Sequence, residues 1–407
     1  MSDIQKLSIQ ELELGMYVVE IEKGSDSVRL KAGGKLIKNA TIERMRQQNV
    51  SAIYVDFSRS DDTRYQSRVK NERKVSRDNK VVPLRANTVQ TSFKQEMETA
   101  EPIFEEAKEL QQKLFDVVLK QHTIDLESVE EATSDIMQSM FRNPDALLLL
   151  TRLKNKGAYL FEHAVNSSIL MTAFATHLEY DERLIHEIAI GSFMHDIGKI
   201  LVPKSILDKP GKLTDEEFTK MKKHVDYSNK ILEGLPSISP VSLDIVSAHH
   251  ERLDHSGYPC GLRDEELTTW GRMIAIVDTY DAMTADRCYK KASMPIDAFK
   301  TMMNEPEHYD NELVQRFIKI VGIYPVGSLV KLKSGALAMV HKTNKEKPLK
   351  PLVASFYNCI QEQKTKIKFI DLAKISNEEI DTEIDSDEFD ISQNPQLFSH
   401  LFQDASN

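Results

Sequence analysis

Histidines and aspartates recur through the middle of the chain at intervals of about thirty residues, which is the length of one helix–turn–helix pair. The set comprises His163, His195, Asp196, His224, His249, His250 and Asp278. Single histidines are common in protein interiors, but imidazole and carboxylate groups that return at helix-pair intervals predict one shared polar centre. Neutral imidazole and carboxylate are ligands suited to iron, manganese and related divalent ions.

Length and composition limit the class of protein. At 407 residues the chain is too long for one ordinary core and indicates two or three domains. No run approaches the ~18 apolar residues that cross a bilayer, and residues 1–6 do not begin a secretory leader. Three scattered cysteines are too few for a disulfide framework, so we expect a cytoplasmic protein without a membrane span. The net charge of −10 argues against binding of a nucleic-acid polymer.

The first 58 residues are predicted to form a small α+β domain. Because they contain no nucleophile, metal cluster or glycine-rich phosphate loop, we expect this domain to be regulatory. A turn and a strand are expected at 15–21, a helix at 41–48 and a second strand at 51–56. Residues 59–95 are a basic linker, with nine lysines and arginines between Arg59 and Arg85. A solvated connector is the ordinary interpretation, and an electrostatic contact with a membrane, nucleic acid or acidic partner is the alternative.

The remaining segments are connecting helices at 96–144, an all-helical domain at 145–325, a small β-rich extension at 326–375 and an acidic tail at 376–407. The connecting helices are predicted from apolar residues that recur every three or four positions, and Asn143-Pro144 marks a break. Short strands are expected at 328–332 and 336–340, and the tail is expected to be solvated. The predicted fold class is therefore mainly α.

The pentapeptide His195-Asp196-Ile-Gly-Lys199 follows an apolar run at 188–194 that predicts a buried helix. On a continuing helix, His195 and Lys199 would share a face, and Asp196 would supply a carboxylate to the same centre. A carboxylate can bridge two cations, and the lysine could stabilise phosphate charge or a leaving oxygen. The alternative is a helix C-terminus with Gly198 as its cap and Lys199 at the negative end of the dipole.

The other histidines carry weaker signals by themselves. His163 shares a polar helix face with Asn166 and Ser167, which favours a site over three unrelated buried polar groups. Taken alone, however, His163 would be a satisfied core histidine and His224 an ordinary surface histidine.

Two further groups strengthen the prediction of a metal pair. His249 and His250 are adjacent, and neighbouring helical side chains diverge by about 100°, so each could reach a different ion. Asp278 lies in an apolar helix, where an unpaired carboxylate costs several kcal/mol unless a metal or strong hydrogen bonds compensate. Asp281 is expected to cap a helix or to support a ligand from behind.

These motifs together closely resemble the HD-GYP family. The resemblance rests on His195-Asp196 with Lys199, on the stretch His249-His250-Glu251-Arg252-Leu-Asp254-His-Ser-Gly257-Tyr258-Pro259, and on Asp278-Thr-Tyr-Asp281. It covers roughly residues 145–325, and it implies a helical phosphohydrolase that cleaves cyclic dinucleotides, chiefly cyclic di-GMP. The N-terminal residues, through Leu14-Gly-Met-Tyr-Val18, resemble a domain of unknown function often found ahead of HD-GYP domains.

The resemblance assigns roles to individual residues. All seven recurring histidines and aspartates would be metal ligands, with Asp196 as the bridge between two divalent ions, iron or manganese. Lys199 matches the family's catalytic lysine, and Arg287 and Lys290 match residues that contact substrate phosphate. Some relatives bind a third metal through a glutamate one turn before the first histidine. Tyr159 occupies that position here, so two metals are expected.

The function implied is hydrolysis of cyclic di-GMP or 3',3'-cyclic GMP-AMP to a linear dinucleotide in bacterial second-messenger signalling. A sensor that binds the nucleotide without hydrolysis and signals through a partner is the alternative, and the segment Gly257-Tyr258-Pro259 argues against an unrelated HD hydrolase. The candidate partners beyond the substrate are a protein bound at this segment or at the N-terminal domain, and a second copy of the chain.

Two residues depart from the family pattern, Cys288, which stands where the family usually has proline, and His255. His255 stands where the family usually has glycine, which permits a positive φ or a close backbone approach. Histidine tolerates the left-handed region better than most residues, so we expect the loop to survive with a modest change. Altered base selection, altered partner docking and an extra metal ligand are the alternatives.

Overall fold

The computed structural model describes residues 4–7, 17–23, 28–35, 50–56, 91–152, 159–235, 237–285, 291–344 and 346–384. The chain divides into two compact units, residues 1–80 and 81–407. Each is described by itself.

The N-terminal unit contains a four-stranded antiparallel sheet with the strand order β1-β4-β2-β3. Its strands are β1 (Ile4–Leu7), β2 (Tyr17–Lys23), β3 (Val28–Lys35) and β4 (Val50–Asp56). The two predicted strands correspond to β2 and β4, and the buried side chains of Val18 and Ile53 lie on them. The predicted helix at 41–48 and the basic stretch from Arg59 to Arg85 lie outside the described residues.

The second unit is mainly helical, which confirms the predicted fold class. Its α-helices are α1 (Phe93–Leu119), α2 (Leu126–Arg142), α3 (Pro144–Leu150), α4 (Tyr159–His177), α5 (Glu182–Met194), α6 (Lys204–Leu207), α7 (Asp215–Glu233), α8 (Pro240–Ala248), α9 (Thr269–Met283), α10 (Pro295–Met303) and α11 (Asn311–Val321). Two 3₁₀ helices occupy Ile197–Leu201 and Asp264–Glu266.

The helix ends follow from local chemistry. The Ser92 side chain and Gln95 form a reciprocal capping box that begins α1. Asn143 caps α3 through the Asp145 N–H, and Pro144 is the first residue of that helix. The predicted break at Asn143-Pro144 is therefore confirmed as the point where α2 ends and α3 begins.

Five helices bring the recurring polar residues together. Helix α4 packs against α5 and α9, while α8 packs against α5, α7 and α9. Helix α7 also lies along the 3₁₀ helix Ile197–Leu201. On the far side, apolar residues of α1 and α2 pack against α4 and α5 in a core that includes Leu114, Ile136, Val165 and Phe193. The polar centre is thus enclosed by packed helices.

A five-stranded antiparallel sheet follows the helices, in the order β8-β7-β6-β5-β9. Its strands are β5 (Leu329–Leu332), β6 (Ala336–Lys342), β7 (Leu352–Asn358), β8 (Gln363–Asp371) and β9 (Ile380–Ile384). Strands β5 and β6 match the predicted strands, and Gly335 between them has a φ of 83°, which favours glycine.

The prediction of a solvated tail from residue 376 is wrong for β9. This strand pairs with β5, with Leu329 opposite Ile384. The carboxylate of Glu383 is buried and lies 3.4 Å from a guanidinium nitrogen of Arg152. The acidic composition suggested solvation, but backbone pairing and this ion pair hold the segment in the sheet. Residues 385–407 lie outside the described part of the chain.

Within the described residues, no helix combines the length and the apolar character that a membrane crossing requires.

Candidate metal centre

His195 and Asp196 lie where α5 ends. The helix stops at Met194, His195 caps it, and a 3₁₀ helix begins at Ile197. The prediction that His195 and Lys199 share a face of one continuous helix is therefore wrong, although Lys199 still donates a hydrogen bond to Asp196 through its ammonium group.

Gly198 explains why the chain turns at this point. A Cβ on Gly198 would lie 2.2 Å from the carbonyl oxygen of His224 and 2.5 Å from the amide nitrogen of Ser228. The Gly198 N–H also donates to the Ser228 hydroxyl at 2.8 Å. Only glycine permits this approach to α7, and the approach brings Asp196 next to His224.

The seven predicted ligands form two neighbouring clusters. The first, the His163 cluster, comprises His163, His195, Asp196 and Asp278. The second, the His224 cluster, comprises His224, His249 and His250. Within each cluster the ligand atoms lie within 4.8 Å of one another. The structure thus brings together all seven residues that the sequence singled out.

Asp196 lies between the clusters. One carboxylate oxygen, Oδ2, is 3.3 Å from Nε2 of His163 and 3.4 Å from Nε2 of His195. The other oxygen, Oδ1, is 3.4 Å from Nε2 of His224 and 3.7 Å from Nε2 of His249. This is the arrangement that a carboxylate needs to bind one cation with each oxygen.

The histidine tautomers are set by backbone carbonyls. Each of three rings donates its Nδ1–H to the carbonyl three residues earlier, so its Nε2 carries a lone pair when the ring is neutral. These bonds, each 2.7 Å long, are His195 to Ser192, His224 to Met221 and His249 to Val246.

The resulting acceptor atoms face one another at short range. Nε2 of His224 lies 3.1 Å from Nε2 of His249, and Nε2 of His195 lies 3.3 Å from Nε2 of His163. Oδ1 of Asp196 is buried and makes no hydrogen bond within the described part of the chain. Buried acceptors that converge without a donor are costly, and a cation between them satisfies all of them. These residues therefore fit a pair of divalent metal ions.

Asp281 holds His163 from behind. Nδ1 of His163 is 2.7 Å from Oδ2 of Asp281, and the side-chain amide of Asn166 donates to Oδ1 at 3.1 Å. The bond to Asp281 directs the opposite ring nitrogen, Nε2, toward Asp278, whose Oδ1 is 3.0 Å away. Asp281 therefore orients a candidate ligand, as the sequence indicated.

The expectation that His249 and His250 reach different ions is wrong, because both join His224 in one cluster. Helix α8 ends at Ala248, so the two histidines lie in the turn that follows it rather than on a regular helix. Their ring centroids are 4.2 Å apart. Nδ1 of His250 is also 3.4 Å from Oδ2 of Asp278, which links the two clusters a second time.

The electrostatics favour the metal-binding forms of four of these groups, His224, His249, His250 and Asp196. Burial lowers the pKa of His224 to about 4 and holds the pKa of His249 and of His250 well below the usual value, so these rings are neutral at pH 7. Burial opposes ionisation of Asp196, but Lys199 and His195 outweigh it and keep the pKa of this carboxylate well below its usual range.

The His163 cluster attracts positive charge. Burial opposes protonation of His195, yet the Asp196 carboxylate outweighs burial and raises the pKa of this imidazole. Burial likewise opposes ionisation of Asp278, but His250 and His163 keep the pKa of this carboxylate low. Two ionised carboxylates in a buried site favour nearby positive charge, which Lys199 supplies to Asp196 and which a metal ion would supply to both.

Glu251 was quoted from the sequence only as part of a motif, yet this residue anchors the neighbouring loop. Its buried carboxylate accepts hydrogen bonds from the backbone N–H groups of Cys260, Gly261 and Leu262, at 2.7, 3.2 and 3.0 Å. A charged residue directly after two candidate ligands was the available signal. The loop places the Tyr258 ring 4.6 Å from the His250 ring.

His255 and Gly257 shape the same loop. His255 has a φ of 68°, which confirms that the position requires the left-handed region. It belongs to neither metal cluster of the described residues, so the structure does not make it an extra ligand. A Cβ on Gly257 would lie 2.4 Å from the Arg252 amide nitrogen and from the Glu251 Cα.

Arg287 and Lys290, predicted to contact substrate phosphate, lie outside the described residues, and so does the side chain of Tyr159.

Comparison with known proteins covers most of the chain. The profile of the HD domain matches residues 149–313, and a domain of unknown function, DUF3391, matches residues 4–129. The chain is similar to a cyclic di-GMP phosphodiesterase of Pseudomonas aeruginosa, with 33% identity over 374 residues that cover 91% of this chain and 89% of that protein.

Two further relatives match shorter stretches. A cyclic di-GMP phosphodiesterase of Thermotoga maritima is 33% identical over 195 residues, which cover 47% of this chain and 52% of that protein. A 3'3'-cGAMP-specific phosphodiesterase of Vibrio cholerae is 33% identical over 172 residues, which cover 42% of this chain and 37% of that protein.

Proposed function

This chain belongs to the HD-GYP family, and from that premise we propose that it is a metal-dependent phosphodiesterase that opens a cyclic dinucleotide to its linear form. The observation that carries the proposal is the position of Asp196, whose two oxygens face two separate clusters of ligand atoms. A pair of divalent ions bridged by one carboxylate is a recurrent device for hydrolysis of phosphate esters.

The ligand types suit iron or manganese, which we propose as the metals. Imidazole and carboxylate together bind these ions, while the absence of thiolate from both described clusters disfavours a soft-metal site. When bound, such ions supply Lewis acidity and lower the pKa of coordinated water. His163, His195 and Asp278 would hold one ion, His224, His249 and His250 the other, and Asp196 both.

The protein groups near the clusters would act on the phosphate. The Lys199 ammonium, which contacts Asp196, is positioned to stabilise negative charge on the phosphate or on the departing 3′-oxygen. Arg287 and Lys290 are proposed, from the family motif, to bind the phosphate that enters the site. The N-terminal domain is proposed to regulate the enzyme, to bind a protein partner or to pair with a second copy.

Cyclic di-GMP is the first candidate substrate, because the relative that matches nearly the whole chain is named for it. The mixed dinucleotide 3',3'-cyclic GMP-AMP is the second candidate, favoured by the Vibrio cholerae relative. Both contain guanine and a phosphodiester ring, so the same metal chemistry would serve either. We place the activity in cytoplasmic second-messenger signalling.

The experiment is a turnover assay with protein reconstituted with ferrous or manganous ion under anaerobic conditions. Cyclic di-GMP and 3',3'-cyclic GMP-AMP are offered separately, and chromatography measures the linear product. We expect turnover of at least one substrate and its loss in Asp196→Ala, while Asp226→Ala, an exposed aspartate of α7, behaves as wild type. Activity that persists in Asp196→Ala contradicts the proposal. Tight binding without turnover in fully metallated protein would instead support a sensor.

A further inference from the structure

An aromatic patch extends from the metal centre to the surface. Phe218, on the first turns of α7, has 44% of its surface exposed. Its ring lies edge-to-face against the ring of Tyr258, with centroids 6.2 Å apart. Tyr258 in turn lies 4.6 Å from the ring of His250. The exposed phenyl ring is therefore one ring removed from a candidate metal ligand.

A lysine completes this patch. The ammonium nitrogen of Lys222 lies 4.7 Å from the centroid of Phe218 and 5.1 Å from that of Tyr258. Lys222 is one helical turn after Phe218, so the two side chains share a face of α7. Among the described residues, no carboxylate lies within ion-pair distance of this ammonium. The Lys222 ammonium is stabilised by cation–π contacts with two aromatic rings, and its N–H donors are available to a ligand.

The capping of α7 fixes the position of this face. Thr214 and Glu217 form a reciprocal capping box at the N-terminus of the helix, and the close approach of Gly198 holds the backbone near His224. Phe218 and Lys222 are thus presented by a rigid helix that also carries a metal ligand, rather than by a loop.

We propose that Phe218 and Lys222, with the edge of Tyr258, form a platform on which one guanine base of the substrate stacks while its phosphate lies at the metal centre. This inference rests on the proposed function and adds the residues that recognise the base. Aromatic side chains stack on any nucleobase, and a cation beside the stack strengthens it.

Lys222 gives the platform a preference among bases. Guanine presents two acceptors, N7 and O6, on one edge, whereas adenine presents N7 and an amino donor. An ammonium group has three donors and no acceptor, so it favours the guanine edge. A substrate with at least one guanine is the class that this surface fits, and both candidate dinucleotides belong to it.

The test separates base recognition from chemistry by using manganese-reconstituted full-length protein and two substrates. Cyclic di-GMP carries bases, and bis(4-nitrophenyl) phosphate is a diester without them. Phe218→Ala should raise KM for cyclic di-GMP roughly 10-fold, the loss expected when one base loses its aromatic partner, with kcat within about twofold. Turnover of the base-free ester should not change, and Phe218→Trp should retain the wild-type KM.

Lys222→Met provides the second arm. Cyclic di-AMP is added as a competitor, and its inhibition constant is compared with KM for cyclic di-GMP. We expect the preference for the guanine nucleotide to fall roughly 10-fold, in keeping with one lost base-edge contact. Leu119→Ala, which removes another exposed apolar side chain at the end of α1, is the matched control and should leave every constant unchanged.

Three outcomes would overturn the inference. An unchanged KM in Phe218→Ala means that the base binds elsewhere. An equal loss with the base-free ester means that Phe218 only supports Tyr258 and the metal centre. Absence of cyclic dinucleotide turnover in the metallated wild type overturns the proposed function, and the inference with it, and this result is visible before any variant is compared.

Discussion

The carboxylate of Asp281 lies 2.7 Å from Nδ1 of His163, on the side of the ring that faces away from the metal cluster. Because Nδ1 donates to this carboxylate, the lone pair of Nε2 points toward Asp196 and Asp278. Asp281 belongs to neither candidate metal cluster of the described residues, but its hydrogen bond fixes the orientation of His163, which does.

Asp281→Asn should weaken metal binding without unfolding the helical unit. An amide accepts this hydrogen bond less strongly than a carboxylate and permits other ring orientations, so we expect the affinity for one of the two ions to fall about 10- to 100-fold. Competition with a metal chelator, followed by metal analysis, measures it. Asp297→Asn, at an exposed position of α10, is the control, and equal affinities in the two variants would contradict the role of Asp281.

Gly198→Ala should disrupt the metal centre through a steric clash with α7. The new methyl group would lie 2.2 Å from the His224 carbonyl oxygen, so the 3₁₀ helix must move away from α7. We expect a loss of about 1–3 kcal/mol in the free energy of unfolding and a reduced metal content. Gly234→Ala is the control, since its nearest neighbour is 3.4 Å away. A Gly198 variant as stable and as metallated as the Gly234 variant would refute the account of this turn.

Glu251→Gln should loosen the loop that carries Tyr258. A glutamine offers one acceptor oxygen in place of the two that receive the N–H groups of Cys260, Gly261 and Leu262. Hydrogen bonds to a charged group contribute about 1.5–3 kcal/mol each, so exchange of these amides with solvent deuterium should accelerate at least about 10-fold. Glu265→Gln, at an exposed position, is the reference. Unaltered protection of all three amides would exclude this anchoring role.

Glu96 should make a pH-dependent contribution to stability. Its buried carboxylate accepts from Arg142 at 2.8 Å and from Ser139 at 2.7 Å. Burial opposes ionisation, but these hydrogen bonds outweigh it and lower the pKa of Glu96 below its ordinary value. A lowered folded-state pKa stabilises the fold above the unfolded-state pKa and loses that stabilisation as the pH falls through the folded value.

Glu96→Gln should therefore lower the free energy of unfolding by about 1.5–3 kcal/mol at pH 7. The difference from wild type should shrink as the pH falls below about 4.3, the pKa of an unperturbed glutamate. Thermal unfolding at neutral and acidic pH, with the exposed Glu98→Gln as control, measures it. A difference that stays constant from neutral to acidic pH would show that the charge of Glu96 is not what joins α1 to α2.

The set of candidate ligands could be predicted from sequence because imidazoles and carboxylates rarely recur at helix-pair spacing unless they share a site. Their division between the clusters could not be predicted. It depends on where α5 and α8 end, and α5 ends early because Gly198 packs on α7, a contact 26 residues or more away along the chain. Local patterns do not report such long-range packing.

Strand β9 is a second example of long-range packing that local sequence patterns do not predict. Two of the five residues of strand β9, Asp381 and Glu383, are acidic, so its composition resembles that of a solvated tail. Its place in the sheet comes from backbone pairing with β5 and from the contact between Glu383 and Arg152. When two paired strands are far apart in sequence, the residues of neither strand indicate which partner it pairs with. The left-handed backbone at His255, by contrast, could be predicted, because the resembled family usually has glycine at this position and glycine permits a positive φ.

The most direct test of the central claim is electron paramagnetic resonance of the manganese-reconstituted protein, combined with metal analysis. If Asp196 bridges the clusters, wild type should contain two manganese ions per chain with an exchange-coupled spectrum, and Asp196→Ala should lose the coupling. A wild-type spectrum of isolated manganese, at one ion per chain, would contradict the account.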